Sequence, residues 1–467
     1  MKRSILSTIF AVFVCLGLYA QADIVIFPES AEGPVKLMNA VNNGPIIAGA
    51  DQKRDNFAAY RAAHIPYART HDSNYCSNYG APHTVDITAV FPDFSANVNK
   101  ESSYDFTLTD RYLESIRSAG TEVFYRLGQS IEHAAKKYGI YPPESSRKWA
   151  QICEHIIRHY NEGWADGYEW NIRYWEIWNE PDLDSEEARR TNPRTWAGTD
   201  EEFFDLYETT AKHLKKCFPD LKIGGPASCG NEKWSAAFIA EMARRRVPMD
   251  FFSWHIYHSK PGKVASIAER FRRMLDDNGY TTTESILNEW NYVKGWTDQY
   301  VYSIRQMNSL KGAAFTAATM AALQYAPLDM AMYYDFRPSV FAGPFDMYTY
   351  SVQKPYYAFY AWNKLLKGKE CVDVRVNERT GDLYCVASKG EDGHLRIFVV
   401  RYNEDNNEIS ARNVVLHVDG AWLDSDGEYF GHITDLTHMY TEIPLELNGE
   451  GDIVLSLDPN SFVLIEL

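Results

Sequence analysis

The sequence of 467 residues is poor in basic side chains and in long apolar runs, and both shortages exclude classes of protein. Lysine and arginine number 47 against 63 aspartate and glutamate, which gives a formal net charge of −16. An acidic chain of this kind has no electrostatic footprint for DNA or RNA, so we expect no nucleic-acid partner. Beyond the N-terminal segment, no stretch is long and apolar enough to span a membrane, so we expect no membrane insertion.

Several motifs of common enzyme and metal-binding classes are also absent. No C-x-x-C pair is present, which excludes a zinc ribbon or a thioredoxin-type motif. No G-x-G-x-x-G follows the first predicted strand, and neither a P-loop nor a G-x-S-x-G motif occurs. His71, His255 and His258 lack H-x-x-x-H spacing, so the sequence predicts no metal site.

The N-terminus has the pattern of an export signal. Lys2 and Arg3 precede an apolar run from about residue 5 to residue 18, and a small-residue site follows at residues 20–22. This order is typical of a secretory signal peptide. We therefore expect residues 1–22 to be removed by cleavage after Ala22, which predicts a secreted or periplasmic protein.

The cysteines are too few for a disulfide scaffold in a chain of this length. An oxidising compartment nevertheless permits pairing. Cys371 and Cys385 flank a turn centred near Glu378, and a hairpin there would place them opposite each other within disulfide reach. Buried free thiols are the alternative, so this pairing stays open.

Eight short apolar runs alternate with amphipathic helical segments between about residues 37 and 340. Alternating strands and helices indicate parallel strands joined by right-handed crossovers. Eight such units match the size of a (β/α)8 TIM barrel, which we predict over residues 37–367. A doubly wound open sheet is the alternative.

The hydrophobic pattern changes to period two after the barrel. Runs such as LRIFVVRYN and NVVLHVDG, separated by turns such as GEDG and NGEG, predict a C-terminal antiparallel β-sandwich over residues 368–467. Residues 23–36 also contain a strand-like run, which we expect to pair with the sandwich. The fold class is therefore α/β, with a barrel followed by a sandwich.

Two predicted barrel strands end on a glutamate beside Asn and Trp. Active sites of such barrels form at the C-terminal strand ends, and Glu180 and Glu289 end the fourth and seventh strands, which face each other. Two facing carboxylates suit cleavage of a glycosidic bond, in which one protonates the leaving oxygen and the other attacks the anomeric carbon. These roles need no cofactor.

Other strand-end side chains have predicted supporting roles. Asn179 would hold a sugar hydroxyl, Arg69 would keep the nucleophile ionised, and Tyr257 would donate a hydrogen bond to it. Trp290 and Tyr334 would stack on the sugar, while Glu176 is expected to form an ion pair inside the barrel.

The segment YWEIWNEPDLD resembles the strand-four signature of glycoside hydrolase clan A, and more narrowly family 39, the β-xylosidases and α-L-iduronidases. RTH, GGPAS, WHIY and ILNEW support the resemblance in order along the barrel. The resemblance implies that Glu180 is the acid/base, Glu289 the nucleophile, and Asn179 the partner of the sugar 2-hydroxyl. It also implies a subsite lined by Arg69, His71, His255 and Tyr257. Members retain anomeric configuration, which predicts carboxyl groups about 5–5.5 Å apart.

The sequence leaves the sugar, the anomer, exo or endo action and the oligomeric state open. A carbohydrate substrate with β-xylosidase-like cleavage of a terminal sugar is the default. The alternatives are an α-L-iduronidase-like enzyme, another glycosidase or transglycosidase of the clan, and a non-catalytic carbohydrate-binding barrel. Strand eight ends YYDFR where many clan members present Trp, and Asp335 and Arg337 either contact substrate or pair with each other.

Overall fold

The computed structural model describes residues 22–46, 54–71, 84–377 and 381–467. The first strand, β1 (Ile24–Pro34), belongs to a second sheet, and the next eight strands pair in chain order and close into a parallel barrel. The predicted fold class is thereby confirmed. The barrel strands are β2 (Leu37–Asn42), β3 (Tyr67–Arg69), β4 (Glu122–Leu127), β5 (Tyr174–Ile177), β6 (Lys222–Ser228), β7 (Phe251–His258), β8 (Glu284–Tyr292) and β9 (Met330–Tyr333).

Helices follow the barrel strands along the chain. They are α1 (Phe57–Ala62), α2 (Ile87–Val90), α3 (Thr107–Ser118), α4 (Ser146–Glu162), α5 (Glu186–Thr191), α6 (Asp200–Cys217), α7 (Glu232–Arg244), α8 (Pro261–Asp277), α9 (Tyr300–Met307), α10 (Leu310–Gln324) and α11 (Tyr356–Gly368), with a 3-10 turn at Glu101–Ser103. Local capping fixes several ends: Thr199 and Glu202 form a capping box on α6, and the Ser145 side chain accepts from Lys148 N on α4. Within the described part of the chain, no helix is both long and apolar enough to cross a membrane.

The interior of the barrel changes character along its axis. Its N-terminal half is filled by an apolar cluster in which Phe124 lies 5.2 Å from both Tyr174 and Phe251, measured between ring centroids. Its C-terminal half instead holds charged and amide side chains, among them Arg69 and Glu176, both fully buried. The apolar half is a rigid base, and the polar half is where chemistry can take place.

The second sheet is formed by both ends of the described chain. Nine strands close on themselves, with β1 antiparallel to the first C-terminal strand and parallel to the fourth. The C-terminal strands are β10 (Glu370–Val376), β11 (Leu383–Lys389), β12 (Leu395–Arg401), β13 (Arg412–Val418), β14 (Tyr429–Thr434), β15 (Thr441–Leu447), β16 (Ile453–Leu457) and β17 (Ser461–Glu466). The sequence pattern did not indicate β14 and β15.

Cys371 and Cys385, whose pairing the sequence left undecided, are not joined by a disulfide. Cys371 pairs in register with Ser388 across β10 and β11, and Cys385 pairs with Val399 on the other side of β11. Both are buried free thiols. The turn residues 378–380, like Cys76 and the predicted signal peptide up to residue 21, lie outside the described residues.

The barrel and the second sheet are packed directly on each other. The Tyr402 hydroxyl donates to Ser259 O at 2.6 Å, and the Lys311 ammonium donates to Glu404 O at 2.7 Å. Side chains of the sheet, Phe398 among them, belong to the same apolar cluster as the barrel helices. The two parts therefore share one apolar cluster, and the sheet also encloses a second cluster of its own.

Candidate active site

Glu180 lies just beyond β5 on a sharply turned backbone. Trp178 has a φ of 76° and Glu180 a φ of 49°, the left-handed region that residues with a side chain seldom adopt. Gly128, directly after β4, passes close to this turn. A Cβ at this position would lie 2.9 Å from Trp178 Cα, which is too close for two carbon atoms, so glycine is required. The turn is held by Glu180 N donating to Ala227 O at 2.9 Å and by the Thr195 hydroxyl donating to Glu180 O at 2.6 Å.

Glu289 lies on β8 and receives hydrogen bonds on both carboxylate oxygens. Its Oε1 accepts from Arg69 Nη1 at 2.9 Å and lies 3.0 Å from His71 Nε2. Its Oε2 accepts from the Tyr257 hydroxyl at 2.8 Å. The side chain is 5% exposed, so these donors replace water around an ionised group.

Arg69 connects four strand-end side chains and is itself completely buried. It donates to Glu176 at 2.6 Å, to Glu289 at 2.9 Å, to Asn42 Oδ1 at 3.0 Å and to Asn179 Oδ1 at 2.7 Å. Glu176 therefore forms the ion pair expected inside the barrel. Because Arg69 takes the Asn179 amide oxygen, Nδ2 is the group of Asn179 available to a hydroxyl.

His255 lies between the two candidate catalytic carboxyl groups. Its Nδ1 is 2.8 Å from Glu180 Oε1 and 3.5 Å from Glu289 Oε2. Burial opposes a proton on this imidazole, but Glu289 and Glu180 outweigh burial and raise the pKa of His255. The ring therefore couples the protonation of the two glutamates.

The two carboxyl groups have opposite pKa shifts. Burial raises the pKa of Glu180, against hydrogen bonding from His255, and the nearby Glu289 raises it further. Burial also favours the neutral form of Glu289, but His255, His71 and Arg69 overcome it and hold the pKa of Glu289 well below its ordinary value. Such a divergence separates an acid from a permanently charged carboxylate.

One oxygen of Glu180, one oxygen of Glu289 and a nitrogen of His255 lie within 4.8 Å of one another. A trio of this kind can in principle hold a metal ion. Both oxygens of Glu289 are already engaged, and the guanidinium of Arg69 adds a positive charge beside them. A metal ion bound to Glu289 would have to compete with these hydrogen bonds.

An aromatic wall that the sequence did not predict stands beside Tyr257. Trp296, 57% exposed, lies 5.2 Å from Tyr257 and is stacked at 5.9 Å on Phe341, measured between ring centroids. Phe341 in turn lies 6.0 Å from Tyr334, whose ring is 5.4 Å from His71. Trp296 and Phe341 lie in loops, where the sequence has no hydrophobic periodicity from which their positions could be predicted.

Trp290 does not line the cleft, contrary to the prediction. Successive side chains of a strand point to opposite faces, so Trp290 is directed away from the side of β8 that carries Glu289. Its indole is fully buried, 5.2 Å from Tyr333 and 6.3 Å from Phe315 of α10. Trp290 therefore belongs to the layer between strand and helix.

Arg337 and Lys294, two cations that follow β9 and β8, are each paired with a carboxylate. Arg337 Nε and Nη2 donate to Asp335 Oδ2 at 2.9 and 2.7 Å, and Asp335 also accepts from Asn43 at 3.3 Å. Lys294 lies 3.7 Å from Glu404 and over the ring of Tyr302. Of the two alternatives for Asp335 and Arg337, the structure shows that they pair with each other.

The fold and the site together define a barrel protein with two converging carboxyl groups at its C-terminal strand ends. Comparison with known proteins places this combination in a family of glycosyl hydrolases. The profile described as Glycosyl hydrolases family 39 matches residues 63–337. A β-xylosidase of Geobacillus stearothermophilus is 31% identical over 187 residues, which cover 38% of this chain and 35% of that enzyme. A β-xylosidase of Caldicellulosiruptor saccharolyticus is 26% identical over 353 residues, 68% of each chain.

Among solved structures, a glucosidase from Croceicoccus marinus superposes with a TM-score of 0.77 at 22% identity, covering 95% of this chain and 98% of that one. At this identity the likeness shows the fold. The profile match spans more than half of the sequence. The chain belongs to family 39 of the glycosyl hydrolases.

Proposed function

We propose that the protein is a retaining glycosidase that removes a terminal sugar, with Glu180 as acid/base and Glu289 as nucleophile. The observation that carries this proposal is the pair of carboxyl oxygens within 4.8 Å, one group with a raised pKa and the other with a lowered pKa. Inverting enzymes need about 6.5–9.5 Å between their carboxyl groups to admit water. Membership of family 39 supports the same assignment.

The proposed reaction has two balanced steps. Glu289 attacks the anomeric carbon while the glycosidic C–O bond breaks, and Glu180 gives its proton to the leaving oxygen. Water then attacks the glycosyl ester, Glu180 takes a proton from that water, and Glu289 is released as carboxylate. Arg69, His71 and Tyr257 hold Glu289 in place throughout, and Asn179 Nδ2 binds a hydroxyl of the sugar as positive charge develops.

A neutral pentose such as xylose is the proposed sugar. The two relatives compared above are β-xylosidases, and Arg337 and Lys294, cations that could pair with a uronate carboxylate, are engaged by Asp335 and Glu404. The aromatic wall of Trp296 and Phe341 offers flat apolar faces to the leaving group. An iduronidase-like activity is disfavoured by the same two ion pairs.

A screen of aryl glycosides of both anomers, across pentoses, hexoses and uronates, tests this proposal. We expect the β-xyloside to be the best substrate; a preferred uronide or glucoside would contradict the sugar assignment. Glu289→Gln should lower turnover by about 10³-fold or more. Glu284→Gln is the matched control, since Glu284 begins the same strand at its other end and bonds Lys222.

The acid/base assignment separates an enzyme from a carbohydrate-binding barrel. Glu180→Ala should slow substrates with poor leaving groups by about 10²–10⁴-fold, and it should slow activated aryl glycosides less. Added azide should restore part of the lost rate. Binding without turnover by the unaltered protein would favour the non-catalytic alternative. Transfer of the sugar to an added alcohol in preference to water would favour a transglycosidase.

We further propose, from the N-terminal pattern alone, that the protein is secreted or periplasmic.

A further inference from the structure

We propose that Glu154, His213 and Cys217, on the outside of the barrel, bind a transition-metal ion of the zinc type. The three side chains come from two helices, α4 and α6, that pack against each other. They have no part in the glycosidase site and do not depend on the proposed function. Their donor atoms are one carboxylate oxygen, one imidazole nitrogen and one sulfur, a set that suits Zn²⁺.

The helix geometry brings the three donors together without a special loop. His213 and Cys217 are four residues apart on α6, so they lie on one face of the helix. Glu154 reaches them from α4. One ligand atom from each of the three residues lies within 4.8 Å of the other two.

The distances between donor atoms are close to those of a tetrahedral zinc site. The His213 Nε2 to Cys217 Sγ distance is 3.9 Å, and the His213 Nε2 to Glu154 Oε2 distance is 2.7 Å. Tetrahedral zinc with ordinary bond lengths would place these pairs about 3.6 Å and about 3.4 Å apart. An ion would therefore have to draw His213 and Cys217 slightly closer and separate His213 from Glu154 by about 0.7 Å.

The surroundings orient the carboxylate and leave an entry path. Arg158 donates to Glu154 Oε1 from Nε at 2.9 Å and from Nη2 at 2.8 Å, which directs Oε2 toward His213. A second-shell partner of this kind commonly orients a metal ligand. Glu154 and His213 are 16% and 27% exposed, so an ion can reach them, and water would fill the fourth position.

The charged groups beside the site are Arg158 and Glu162, which pair with each other, and Arg158 also pairs with Glu154. Because a metal ion binds the thiolate of cysteine, an ion at this site would displace the thiol proton of Cys217. The competing interpretation is a simple ion pair of Glu154 with His213 and Arg158, which needs no sulfur.

Titration of the reduced full-length protein with Co²⁺ distinguishes the two. We expect a thiolate-to-cobalt absorption band that excess Zn²⁺ removes, and a higher Tm in the presence of Zn²⁺. Cys217→Ser should abolish the band, and Glu154→Gln, which keeps the shape of the side chain, should weaken Co²⁺ affinity at least about tenfold. Cys229→Ser, which alters a half-buried thiol outside the cluster, should change neither.

Two outcomes would overturn the proposal. The first is the absence of any band and of any Tm change with the unaltered protein. The second is a band that persists in Cys217→Ser, which would assign cobalt binding to another thiol. Because both Co²⁺ absorbance and Tm are measured on each variant, a variant that fails to fold is recognised, and Glu154→Gln then carries the test.

Discussion

At the residue scale, two chemically identical side chains have opposite pKa shifts because their surroundings differ. Glu289 is surrounded by donors from three residues, whereas the carboxyl group of Glu180 bonds one imidazole among the described residues. Each donor stabilises the ionised form of Glu289, while burial dominates at Glu180. The surroundings, which a linear sequence does not display, therefore set the pKa values of the two glutamates apart.

The pH dependence of kcat/KM should follow these opposite shifts. Activity requires ionised Glu289 and protonated Glu180, so it should fall at acid pH through the lowered pKa of Glu289. It should fall at alkaline pH through the raised pKa of Glu180. In Glu180→Gln, assayed with an activated aryl glycoside, the alkaline limb should disappear and the acid limb remain; an unchanged alkaline limb would assign the acid elsewhere.

At the scale of the element, strand ends were predictable and loops were not. All eight barrel strands fall on runs that the sequence indicates, and their ends bring Arg69, Glu180 and Glu289 together. Trp290 was misassigned although the alternation of side chains along β8 already directs it away from Glu289. Asn42, which orients Arg69, could have been found as the last residue of β2.

Replacement of Trp290 should therefore affect folding. Trp290→Ala removes a fully buried indole and should lower the free energy of unfolding by about 3–5 kcal/mol, as measured with denaturant. KM of the folded fraction should stay near that of the unaltered protein. Trp290→Phe, which keeps most of the packing, should lower the free energy of unfolding less. A raised KM of Trp290→Ala without a loss of stability would show that Trp290 contacts the substrate.

Replacement of Trp296 should have the reverse effect. Its indole is 57% exposed, so Trp296→Ala should leave the stability almost unchanged. Loss of about 1 kcal/mol of stacking on the leaving group should raise KM roughly fivefold. Phe430→Ala, an exposed aromatic of the second sheet, is the control and should leave KM unaltered. Equal effects of the two changes would exclude a role for the aromatic wall.

At the largest scale, the barrel and the second sheet are joined by a common apolar cluster. The sequence predicted both parts and the strand before the barrel, but not that nine strands would close into one sheet. The two missed strands are half-exposed, and they contain Gly431 and Pro444, which weaken a strand pattern. The register of β10 and β11 that separates Cys371 from Cys385 also depends on pairing, which a sequence specifies only weakly.

The shared apolar cluster predicts a single unfolding transition. Probes of the barrel and of the second sheet should report the same midpoint in denaturant, because Phe398 and its neighbours pack in the barrel's own cluster. Amide hydrogen exchange, measured by mass spectrometry on peptides from each part along the denaturant series, provides the two probes. Two separate midpoints would show that the barrel folds independently of the sheet.

Attack of Glu289 on the sugar would leave a covalent glycosyl-enzyme, which a slow substrate can trap. An activated 2-deoxy-2-fluoro xyloside should inactivate the protein, and mass spectrometry of the digest should show one added fluoroxylosyl group on the peptide that contains Glu289. Glu289→Gln should acquire none. A sugar attached to another residue, or a product of inverted anomeric configuration at the first turnover, would contradict the account.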